Sequence, residues 1–86
     1  MVNQQMLLLT HDDNNWDTIS LEYSLSEEFM RVHKNQLNWL IISFYQKLSE
    51  NFIREFQNKL IWWYILRNKN INLSEDFITE MKLKGY

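Results

Sequence analysis

The chain repeats itself. Trp16, Trp39 and Trp62 stand 23 residues apart, and Ile19, Ile42 and Ile65 follow each of them by three. Ser20 and Ser43 come next, with Leu66 in the third place. A second phrase recurs behind the first: Leu25-Ser-Glu-Glu-Phe29, Leu48-Ser-Glu-Asn-Phe52 and Leu73-Ser-Glu-Asp-Phe77. The last of these is displaced by 25 residues rather than 23, so two residues are inserted near 68–72, and Asn70-Ile-Asn72 reads as the lengthened loop. Self-similarity at a period of 20–50 residues is the mark of a stacked-repeat architecture, in which one unit cannot bury its apolar face and its neighbours bury it instead. Three copies are expected, at about 15–37, 38–60 and 61–83, with residues 1–14 as an N-terminal extension.

Each copy reads as two short helices. Ser26, Ser49 and Ser74 are placed as N-caps, where a hydroxyl oxygen accepts a first-turn amide. The glutamates that follow, Glu27, Glu50 and Glu75, suit the positive end of the helix dipole. Phe52, Ile53, Phe56 and Leu60 lie at i, i+1, i+4 and i+8, one face of a helix running to Leu60. In the tryptophan-bearing halves, Trp39, Ile42, Ser43 and Gln46 share a face, as do Trp62, Ile65 and Leu66, and Asn15 and Asn38 stand ready as N-caps. With no proline and a single glycine, Gly85, the chain lacks the usual punctuation of hairpins, which strengthens an all-α reading: three degenerate two-helix repeats in one small domain.

Eighty-six residues bury a modest core, and the absence of cysteine removes disulfides, thiolate metal sites and a Cys nucleophile. Thirteen aromatic side chains supply large buried areas for a core, an interface or both. No phosphate-binding loop, nucleophile motif or distinctive carboxylate pair is present, so no catalytic activity and no cofactor are expected. His33 occupies the position of Phe56 and Met81 and reads as a half-buried structural histidine. His11 with Asp12 and Asp13 reads as a cap or loop rather than a metal site. The longest apolar run, Leu60 to Leu66, is seven residues against the roughly 20 a bilayer needs, and no export signal is seen, so a cytoplasmic protein with no membrane partner is expected.

The phrases Leu48-Ser-Glu-Asn-Phe-Ile-Arg-Glu-Phe56 and Trp39-Leu-Ile-Ile-Ser43 resemble a short repeat of phage and giant-virus proteins, roughly W-x-x-I-S-x-x-Q-x-L-S-E-x-F-I-R-E-F. The second copy matches it closely, Gln46 included. Arg31-Val-His33 and Thr79-Glu-Met81 depart from it at the Arg-Glu-Phe portion. The resemblance covers about residues 15–81. It implies a helical repeat and a viral origin, and it transfers no catalytic residue. A small enzyme-less viral protein suggests, by analogy, an anti-CRISPR-like inhibitor of a host defence effector.

Residues that the repeat does not explain are the candidates for function. At about 100° per residue, Ile41 and Tyr64 point away from the template face, with Leu40, Phe44 and Trp63 on its flank. They either pack between copies or form an exposed patch for a host protein or a second protomer. Asp12, Asp13, Asp17 and Glu22 form a second candidate surface, acidic, and also explicable as caps and loop acids. Residues 1–43 carry six acids against two bases and residues 44–86 five against seven, so the net charge of -2 is unevenly spread. The basic half leaves a nucleic-acid-binding helix–turn–helix as the alternative, made less favourable by the overall acidity. A self-associating structural protein, pairing through its repeat ends, is the third reading.

Overall fold

A computed structural model describes residues 15–86, and the N-terminal extension with His11, Asp12 and Asp13 lies outside the described residues. Among the described residues there are six helices and no strand: α1 (Trp16–Glu22), α2 (Glu27–Val32), α3 (Trp39–Tyr45), α4 (Glu50–Glu55), α5 (Trp62–Ile65) and α6 (Glu75–Leu83). The expected all-α class and the two-helix repeat are what the chain adopts. Each helix is too short to persist alone, so its stability comes from packing.

The caps form as the sequence implies. The Ser26, Ser49 and Ser74 hydroxyls each accept the amide of the phenylalanine three residues on, at 3.1 Å. Asn15 and Asn38 do the same for Thr18 and Ile41 at 3.2 Å. Of the six described helices α5, which begins after Ile61, is the one without a side-chain cap.

Equivalent residues occupy equivalent places. Ile19, Ile42 and Ile65 are completely buried or nearly so, as are Phe52 and Phe77, with Phe29 close behind. The three repeat tryptophans are half-buried, each against the phenylalanine of its own copy: Trp16 with Phe29 at 6.4 Å, Trp39 with Phe52 at 6.2 Å, Trp62 with Phe77 at 6.1 Å. His33 stacks between Phe29 (4.5 Å) and Trp16 (5.2 Å), as Phe56 does between Phe52 and Trp39. It is a half-buried ring whose Nδ1 lies 3.2 Å from Gln36 Oε1.

Two expectations need correction. The second helix of the middle copy stops at Glu55, not Leu60. Phe56 leaves helical geometry (φ -109°, ψ 22°), and a turn in which Lys59 and Leu60 donate to the Phe56 carbonyl returns Leu60 to the core. His33 and Leu37 repeat that turn in the first copy. Leu66, placed with Trp62 and Ile65 on an inward face, is instead 49% exposed. Its equivalents Ser20 and Ser43 each bond to the first amide of the following copy, and among the described residues no further copy packs on Leu66.

The copies are joined by four kinds of link, each used twice. The repeat serine donates back to the tryptophan carbonyl four residues earlier (2.6 Å in both copies) and uses its free lone pair to accept the first amide of the next copy, Asn38 at 3.2 Å and Ile61 at 3.0 Å. Gln46 reaches back to donate to the carbonyls of Ser20 (2.8 Å) and Tyr23 (2.6 Å), and Asn68 does so to those of Ser43 (3.0 Å) and Gln46 (2.9 Å). Glu27 accepts the backbone amide and hydroxyl of Ser49, and Glu50 the amide of Ser74. Arg31 pairs with Glu55 at 3.0 Å and Arg54 with Glu80 at 2.9 Å, each guanidinium also lying over the next copy's phenylalanine. Among the described residues the four buried polar side chains, Ser20, Ser43, Gln46 and Asn68, belong to these seams. A buried polar group is tolerated only when bonded, and here the bonding fixes how one copy sits on the next.

Candidate functional site

Among the described residues the seams take up the buried polar side chains. Aromatic side chains outside the core cluster gather on the outer side of α3, α5 and the loop behind α5. Trp63 is 55% exposed although neither core nor seam uses it. Its backbone carbonyl accepts from Arg67 Nη1 at 2.9 Å, and the Arg67 guanidinium lies 3.5 Å above the indole ring. The i, i+4 spacing of a helical turn sets this up, since it brings the Arg67 side chain back over Trp63. A guanidinium over an indole face is favourable by the cation–π attraction. The pair is thus stacked while remaining open to solvent.

A row of edge-to-face rings continues from it. Trp63 meets Tyr64 at 5.0 Å (82°), Tyr64 meets Phe44 at 5.6 Å (72°), and Phe44 meets Tyr45 at 4.8 Å (62°). The Phe44–Tyr64 contact crosses from the second copy to the third, so these two half-buried rings serve the seam on one side and the surface on the other. Tyr45 is 47% exposed. Phe44, Tyr45, Arg67, Lys69 and Asn70 line a depression of about 350 Å³. Tyr45, Lys69 and Asn70 also belong to a polar cleft of about 480 Å³ that runs on past Gln46 and Lys47 to Glu22. Asn70 is fixed there by donating to the Tyr45 carbonyl at 2.7 Å.

Of the apolar candidates, Phe44, Trp63 and Tyr64 therefore come together in one surface. Leu40 is exposed and Ile41 half-buried. At the first seam the position of Leu40 holds Asp17, which accepts from the Asn38 side chain at 2.9 Å. The corresponding pair at the second seam is Leu40 and Ile61, both apolar and both exposed. Asp17 is thus part of a seam and not a free acidic contact. Glu22 lies on the cleft wall. Asp12 and Asp13 lie outside the described residues.

Sequence reasoning left Tyr45, Arg67, Lys69 and Asn70 out of the site. Arg67 was within reach: a Trp followed four residues later by Arg on a helical turn signals a stacked pair. Tyr45 and Asn70 had no such signal, because only the loop folding back onto α3 brings them together.

Among the described residues no group of three or more His, Asp or Glu is arranged to hold a metal ion, and no helix is long and apolar enough to cross a membrane. Among the described residues the titrations that are clearly displaced belong to a seam. Hydrogen bonds first from Arg54 and then from Lys84 hold Glu80 at a pKa of about 2, and the Glu80 carboxylate raises that of Arg54 in turn. No protein-family model matches the chain, and no curated protein or solved structure matches it.

Proposed function

We propose that this chain is a non-enzymatic protein-binding module that meets its partner through the outer aromatic face of the second and third copies. One observation carries the reading: Trp63 is an exposed indole, stacked against Arg67, at the head of a row of rings outside the core cluster. Exposed contiguous aromatic surface has no stabilising role in water, and Trp, Tyr and Arg are the side chains most often decisive at protein interfaces. The resemblance to viral repeats and the small size of the chain support a further step, that the partner is a host protein and that the module blocks a defence effector stoichiometrically.

Pairing of copies of the chain through the repeat ends has little behind it. The first copy carries Tyr23 and Val32 where Gln46 and Glu55 reach back, and the third carries Leu66 and Thr79 where Ser43 and Arg54 reach forward. Of the four links, an end-to-end contact keeps the groups for only part.

The test is affinity capture of host protein with the wild-type chain and with Trp63→Ala/Tyr64→Ala. The expected result is a defined complex lost in the variant while helical circular dichroism is retained. Capture that is equal in both, or absent in both, overturns the proposal.

A further inference from the structure

The depression beside Trp63 and the polar cleft share three wall residues, so together they form one continuous surface. Its charge is unbalanced. Arg31 and Arg54 are neutralised by glutamates across the seams. Lys47, Arg67 and Lys69 make no ion pair with any described residue. All three line this surface, and the one acid on it among the described residues, Glu22, is on the wall of the cleft and not of the depression. Arg67 is held flat by the indole and by its bond to the Trp63 carbonyl, which leaves other N–H groups of its fork for an anion. Next to it the depression is walled by Phe44 and Tyr45.

Resting on the protein-binding reading above, we infer that this surface takes a segment of the partner in which acidic and apolar side chains alternate. A carboxylate of that segment sits on Arg67, and an apolar side chain lies in the depression against Phe44 and Tyr45. Lys69 and Lys47 meet further carboxylates along the cleft.

A single-stranded nucleic acid fits less well. Such strands bind by stacking successive bases on open aromatic faces. Here the rings stand edge to face at 62–82°, and one face of Trp63 is already covered by Arg67. The chain also carries a net charge of -2.

Three probes decide the matter by fluorescence anisotropy: a labelled peptide Glu-Phe-Glu-Leu-Asp-Phe-Glu, the same peptide with Gln and Asn in place of its acids, and a short oligothymidylate. The acidic peptide is expected to bind and the neutral one not to. Arg67→Gln should weaken binding about tenfold or more, the scale of one charge-assisted bidentate contact. Arg67→Lys should restore only part, because an ammonium lacks the stacked fork. Equal binding of the two peptides, no binding of the acidic one, tighter binding of the oligonucleotide, or indifference to Arg67→Gln would each overturn the inference. A host complex that is lost in Trp63→Ala/Tyr64→Ala but kept in Arg67→Gln would leave the module reading standing and remove the acidic segment alone.

Discussion

At the seam between the first and second copies a glutamine reaches back to two carbonyls. At the seam between the second and third an asparagine, one position nearer its tryptophan, reaches the equivalent two. The shorter side chain works because α5 ends at Ile65 and a turn, with Asn68 donating to the Ile65 carbonyl, carries Asn68 inward. The remaining oxygen is used differently. Gln46 Oε1 accepts the Leu25 amide of the preceding copy, whereas Asn68 Oδ1 accepts the Asn70 amide of its own loop. The two inserted residues are thus what the second seam needs for its asparagine to be satisfied. What is common to both seams is the set of backbone groups bonded, and what varies is the side chain that bonds them.

The largest effect should come from adding a seam. The middle copy is the only one carrying both the backward-reaching set (Gln46, Ser49, Glu55) and the forward-reaching set (Ser43, Glu50, Arg54). Inserting a second 38–60 segment after Leu60 should give a folded four-copy protein whose urea m-value rises by about a third, since m follows the surface buried, and whose midpoint also rises. Duplicating 61–83 instead places Leu66 and Thr79 at an internal seam and should raise the midpoint less. Equal gains from the two insertions would mean that the polar links do not govern stacking.

Next in size is the loss of the buried amides. Gln46→Ala leaves the Leu25 amide and two carbonyls of the first copy without their partner and should cost about 2–4 kcal/mol. Asn68→Ala removes two cross-copy bonds and one local one and should cost about 1–3 kcal/mol. Urea denaturation measures both. If Asn68→Ala proves the more damaging, the loop and not the seam is the weak point of the third copy.

These links also mark what was legible in the sequence. The tryptophan–phenylalanine pairs, the buried isoleucines and the serine caps recur in all three copies and the asparagine caps in two, at a period of 23 residues lengthened by two within the third copy, and that periodicity exposes them. Helix length was not legible: α4 stops at Glu55 with no glycine or proline to announce it, because the Phe56 turn is imposed by the need to return Leu60 to the core. The seams were hidden for another reason. Glu27, Arg31 and Glu55 have the look of solvated residues, and their partners lie 22 or 24 positions away in the chain. Gln46 could be placed on a face but not assigned its three bonds. Of the candidate surface, Trp63, Tyr64 and Phe44 were visible as departures from the repeat, and Tyr45 and Asn70 were not.

A smaller contrast lies in the repeat serine. Ser43→Ala strips the Ile61 amide of its acceptor and should cost about 1 kcal/mol, and Ser20→Ala about the same through Asn38. Leu66→Ser, at the same position of the third copy, should change stability by less than about 0.5 kcal/mol, as exposed substitutions do. A large change from Leu66→Ser would reveal a contact beyond the third copy.

The smallest effect distinguishes the seams by acid. Glu80 is held by Arg54, with two nitrogens donating to its carboxylate, and by Lys84 at 3.2 Å. Its pKa is lowered from 4.5 to about 2. A carboxyl whose folded pKa is depressed binds its proton more readily in the unfolded chain, so its contribution is fully present above about pH 4.5 and is lost as the pH falls towards 2. Both partners are about a third exposed, and salt screens them, which keeps the contribution modest. Glu80→Gln should therefore lower the midpoint slightly at neutral pH and flatten its fall between pH 4.5 and 2, most visibly at low salt. If the wild type and Glu80→Gln lose stability in parallel across that window, the third copy is held to the second by the Ser43–Ile61, Asn68 and Glu50–Ser74 links, and the arginine pair is an ornament of the surface rather than part of the joint.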